Sequence, residues 1–73
     1  MIGERIRVRR VILRLSQREL ADAVGVSTNT IGSWERGDTS PRIHRLPILA
    51  KALGCTVLSL IDSSGDAGWM VAG

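Results

Sequence analysis

Residues 16–37, SQRELADAVGVSTNTIGSWERG, limit what this chain can fold into more than any other stretch. Ser16 with Glu19 three residues on has the form of a capping box, which satisfies two orphan backbone N–H groups at a helix start. Leu20, Ala21 and Val24 then share one apolar face. Gly25 supplies the left-handed conformation that ends a helix and that a β-carbon makes costly. Val26 turns back toward the core. Ser27 caps a second helix, whose apolar residues Ile31 and Trp34 lie three apart, and Gly37 ends it. Ala21 is small at the point where the two helix axes must approach closely. This is the construction of a helix-turn-helix, whose second helix enters a DNA major groove.

The rest of the chain reads as further helices, five in all with no strand. The first covers roughly 2–14, with Ile2, Ile6 and Leu13 inward and Arg5, Arg7, Arg9 and Arg14 in water. The next two cover about 17–24 and 28–36. Gly-Asp-Thr-Ser-Pro-Arg at 37–42 has the composition of a loop. A fourth helix over about 43–53 turns Leu46, Leu49, Ala50 and Leu53 inward. Pro47 is tolerated only in a first turn, so this helix properly begins near Leu46. Gly54 ends it, and Thr56 caps a short fifth helix at about 57–61. Residues 1–62 form one domain, and Ser63-Ser64-Gly65 opens a flexible tail or linker over 63–73.

Composition narrows the class. A chain of 73 residues buries only about 60% of its unfolded surface, so a second copy packed against it would add stability. The single cysteine, Cys55, cannot form an internal bridge, which points to a reducing, cytoplasmic setting and a small core hydrophobe. No secretory signal and no membrane span are visible. All ten cations lie in residues 1–51 against five acids, whereas residues 52–73 hold only Asp62 and Asp66. A basic body suits a polyanionic partner. His44 has no second ligand at metal spacing, and no nucleophile has a base beside it. The sequence thus indicates no enzyme, no cofactor, no metal and no small-molecule substrate.

Gly3-Glu4-Arg5-Ile6-Arg7, Arg9-Arg10, the stretch from Gln17 to Trp34, Trp34-Glu35-Arg36-Gly37 and Leu49-Ala50-Lys51-Ala52-Leu53-Gly54 together resemble the helix-turn-helix domain of lambdoid phage repressors. The resemblance covers about residues 3–62. It implies a compact, all-α, five-helix fold and a repressor that binds a palindromic DNA operator as a homodimer. Restriction-modification controllers and antitoxins use the same domain, as do modules that bind protein.

Thr28, Asn29, Gly32, Ser33 and Arg36 point away from the apolar face of the third helix. Asn29 can pair with adenine N6 and N7 together, and Thr28 and Ser33 can each add a base contact; the resemblance makes all three base readers. Gly32 is read as an exposed mid-helix glycine, either a close approach to DNA or a tolerated weakness. Gln17, at the first turn of the second helix, can meet a phosphate, and the resemblance adds a base contact. Arg10 lies on the inner stripe of the first helix, and the resemblance pairs it with Glu35 while it also reaches phosphate. Arg36, Arg42 and Arg45 flank the loop that should follow the DNA backbone, where Asp38 is unexpected. The resemblance places the subunit contact in the C-terminal region, so Val57, Leu58 and Ile61 are the dimer candidates. Trp69, Met70 and Val71 either pack on the fifth helix, lack order or begin a second domain. Ala72-Gly73 has the form of a cleavage site in that last case.

Overall fold

Helix ends in this protein fall where capping chemistry stands in the sequence. The computed structural model describes residues 2–61. In it α1 runs Ile2–Ile12, α2 Gln17–Val24, α3 Thr28–Arg36, α4 Leu46–Ala52 and α5 Val57–Ile61. A 3₁₀ turn, Ile43–Arg45, leads into α4, and there is no strand among the described residues. Ser16 Oγ accepts from Glu19 N at 2.9 Å while Ser16 N donates to Glu19 Oε1 at 2.8 Å. The capping box is therefore complete. Ser27 Oγ accepts from Thr30 N at 3.1 Å, and Thr56 Oγ1 from Ser59 N at 3.1 Å. Gly25 and Gly37 close α2 and α3 at φ of 85° and 83°.

The fourth helix begins at Leu46, as Pro47 in its first turn requires, and residues 43–45 form a separate 3₁₀ turn. One boundary differs from the sequence reading. The first helix stops at Ile12, two residues early. Arg14 takes a left-handed φ of 59°, which costs a side-chain-bearing residue about 1–2 kcal/mol. Leu15 N donates to Arg10 O at 3.0 Å across this turn, and Arg10 Nη1 donates to Leu15 O at 2.8 Å. One side chain thus fastens the strained end of its own helix. Leu13, expected inward, lies past that end and is exposed.

The core draws on every helix. Ile6, Leu20, Ile31, Leu49, Leu53 and Leu60 are fully buried, and Trp34, Ala21, Val24 and Ala50 complete the cluster. The buried set Leu46, Leu49, Ala50 and Leu53 is the one that the spacing indicated. Buried Gly3 sets how closely α1 meets α3: a β-carbon there would overlap the Trp34 carbonyl oxygen and lie 3.0 Å from that of Glu35.

Arg5 and Arg9, assigned to the wet face from sequence, bind backbone instead. Arg9 donates through Nε and Nη2 to Leu53 O at 3.3 and 3.0 Å, and through Nη2 to Gly54 O at 3.1 Å. Arg5 Nη1 donates to Ser59 O at 3.2 Å. The last carbonyls of a helix lack partners and carry the negative end of its dipole, so a cation is favourable there. The readings for residues 63–73, including Trp69, Met70, Val71 and Ala72-Gly73, and the boundary at 62 lie outside the described residues.

Candidate nucleic-acid interface

Helix α3 buries Ile31 and Trp34 and turns the opposite side outward. At about 100° per residue, Gly32, Arg36, Asn29 and Ser33 share one third of its circumference. Thr28 and Asn29 are exposed in the first turn, and Ser33 is half-buried one turn on. Ser33 Oγ lies 2.8 Å from Thr39 Oγ1, which ties the helix to the following loop. Gly32 is not exposed as the sequence suggested. It is buried, and a β-carbon added there would sit 3.0 Å from Arg36 Nη1 and 3.8 Å from the Gln17 amide. Those two side chains cover it.

Behind this face a polar network holds α1, α2 and α3 in one arrangement. Arg10 Nε donates to Glu35 Oε2 at 2.6 Å and Nη2 to Oε1 at 3.1 Å. Gln17 Nε2 donates to Glu35 Oε1 at 3.1 Å. The Arg10 and Glu35 side chains are only 14% and 4% exposed. Burial pushes the Glu35 carboxyl upward, but the Arg10 and Gln17 hydrogen bonds, with the charges of Arg10 and Arg7, hold it below its ordinary value. The Glu35 hydrogen bond raises the Arg10 pKa against the opposing effect of burial. Sequence spacing does not reveal the Gln17–Glu35 bond, because it joins the first turn of one helix to the last turn of the next.

The basic groups divide into two sets. Arg42 and Arg45 border an open cleft of 560 Å³ whose wall includes Val26, Thr30 and Trp34. Arg36 belongs to the other side of α3. Its Nε donates to Asp38 Oδ2 at 3.0 Å, so the unexpected Asp38 has a cationic partner.

Among the dimer candidates, Leu58 is 60% and Ile61 48% exposed, whereas Val57 is half-buried against the core. Cys55 also packs against the core, and His44 is exposed. Among the described residues no group of three His, Cys, Asp or Glu side chains could hold a metal, and no helix is long and apolar enough to cross a membrane.

The helix-turn-helix family profile matches residues 6–60. This chain belongs to that family. It is 46% identical over 56 residues to repressor protein C2 of Salmonella phage P22, covering 77% of this chain and 26% of that protein. It is 47% identical over 65 residues to the transcriptional regulator DicA of Escherichia coli K12, covering 89% of this chain and 48% of DicA. The chain thus spans about a quarter and about half of these relatives' lengths. The crystal structure of the P22 c2 repressor with a synthetic operator superposes with a TM-score of 0.79 at 45% identity, covering 82% of this chain and 91% of that one. The all-helical fold inferred from sequence is therefore the fold of a phage repressor's DNA-binding domain.

Proposed function

We propose that this domain binds a palindromic duplex operator as a homodimer and regulates transcription by occupying that DNA. The observation that carries the reading is the outward face of α3. Thr28 and Asn29 stand exposed on a helix whose last turn is clamped through Glu35 by Arg10 and Gln17. A reading helix must enter the groove in one fixed orientation, and a clamp of this kind provides it. The likeness to a repressor solved on its operator supports the same conclusion.

Roles follow from position. Asn29 reads adenine through its carboxamide, and Thr28 and Ser33 add base contacts. Gln17 binds phosphate at the start of α2, reaches a base edge beside it, and is steadied by Glu35. Arg10 adds a phosphate contact from the edge of its ion pair, and Arg42 and Arg45 meet the backbone along the loop. The sequence groups Arg36 with these backbone contacts, although its guanidinium lies on the other side of α3. Leu58 and Ile61, with Val57 beneath them, form the subunit contact, which spaces two reading helices one DNA turn apart. A non-enzymatic, cytoplasmic regulator with its DNA-binding unit in residues 1–62 fits these roles.

Selection from a random duplex library tests this reading. A two-fold symmetric consensus is expected. Recovery of unrelated sequences would contradict it.

A further inference from the structure

Arg36 does not extend from the end of α3 toward the loop arginines. Long helical side chains lean toward the helix N-terminus, over the residue four before. Here that residue is Gly32, and the guanidinium crowds the space a β-carbon would claim, with Nη1 3.0 Å from that position. The Gln17 amide lies 3.8 Å from the same point. Asp38 Oδ2 accepts from Nε at 3.0 Å. Among the described residues, Nη1 and Nη2 donate to no protein acceptor. The guanidinium thus lies over Gly32, on the third of the helix circumference that Asn29 and Ser33 share, with Nε held to Asp38.

We infer that Arg36 is a base-reading residue that presents Nη1 and Nη2 to a guanine in the major groove, with Gly32 giving it room and Asp38 setting its orientation. The inference rests on the DNA-binding reading above. Guanine offers O6 and N7 side by side, and the planar guanidinium fork matches both acceptors. The same fork can meet a phosphate through two parallel hydrogen bonds, but a phosphate contact gains nothing from a carboxylate beside it, since Asp38 repels the phosphates around it. A base reader does gain, because a fork biased toward one orientation loses less freedom on binding. Gly32 and Asp38, which look like a weak helix position and a misplaced charge, become two parts of one device.

The test uses the whole chain and a set of duplexes carrying single base-pair changes through the selected site. Arg36→Lys keeps the charge and removes the fork. Asp38→Asn keeps the shape and removes the anchoring charge. Both positions are exposed, so unchanged thermal melting curves are expected to confirm folding. Each variant is expected to lose about tenfold of the preference for guanine at one base pair per half-site. Asp38→Asn is also expected to bind shuffled duplex more tightly than wild type. A uniform loss on every duplex for Arg36→Lys, with all base preferences intact, would overturn the inference and leave Arg36 a phosphate contact. If wild type itself showed no base preference at any position, the DNA-binding reading would fall, and the inference with it.

Discussion

Arg10 in α1 grips both carboxylate oxygens of Glu35 at the end of α3, at 2.6 and 3.1 Å, and the same guanidinium closes the turn after its own helix through Leu15 O at 2.8 Å. A single partly buried arginine therefore sets the angle of the outward helix and the path of the chain into α2. Gln17 joins the same carboxylate from α2, so all three helices around the proposed interface converge on Glu35.

Removing one member leaves the other charged in a largely enclosed site. Glu35→Gln is expected to lower the unfolding free energy by roughly 3 kcal/mol, the scale for breaking a buried pair. Urea titrations of wild type and variant at neutral pH measure the difference. Equal midpoints would show that the pair contributes nothing to the fold.

The same pair gives the stability a pH dependence of definite sign. The Glu35 pKa is lower in the folded protein than its ordinary value of 4.5. Its contribution is therefore complete above that value and is lost as pH falls through the lower folded value. The gap in stability between wild type and Glu35→Gln is expected to narrow steadily below about pH 4.5. Denaturation midpoints from neutral to strongly acid pH follow it, and a gap that widens with acid would contradict the assignment.

Much of this fold is legible along the sequence. Ser16 with Glu19, Ser27, Gly25, Gly37 and Pro47 mark boundaries because capping chemistry acts over three or four residues and needs no tertiary knowledge. The inward stripe of α4 is legible for the same local reason. What escapes is set by distant contacts. Arg5 and Arg9 read as solvated, yet their partners are carbonyls more than forty positions away. Arg14 gives no sign that it will take a glycine-like φ, because Arg10 fastens that turn from one helical side. Gly3 and Gly32 are informative only once the neighbour that fills or approaches them is known. Within the interface, Thr28 and Asn29 are visible from helix phase alone, whereas the Gln17–Glu35 and Ser33–Thr39 bonds require the folded chain.

The two glycines are expected to answer alanine in opposite ways. At Gly3 the β-carbon meets backbone, which cannot step aside. Gly3→Ala is expected to cost about 2 kcal/mol net, overpacking exceeding the gain in helix propensity. At Gly32 it meets the far end of a flexible arginine. Gly32→Ala is expected to gain up to about 1 kcal/mol in stability while weakening the base preference proposed for Arg36. Thermal melting paired with duplex competition separates the two outcomes. A destabilised Gly32→Ala would show that the site has no slack.

Arg42 and Arg45 provide a contrast. As proposed backbone contacts they would carry charge without sequence preference, so glutamine at either position is expected to weaken binding to selected and shuffled duplex alike. The slope of log affinity against log salt should become shallower by about 0.9 for each phosphate that is no longer neutralised.

The most direct test of the account is the affinity of the whole chain for its selected duplex and for a shuffled duplex of equal length, across a salt series, alongside Asn29→Ala. Wild type is expected to prefer the selected duplex by at least about 10³, with both affinities falling as salt rises. Asn29→Ala is expected to lose discrimination at one base pair in each half-site. Equal affinity of wild type for the two duplexes at every salt concentration would mean that only a basic surface meets DNA, and would contradict the central claim that α3 reads sequence.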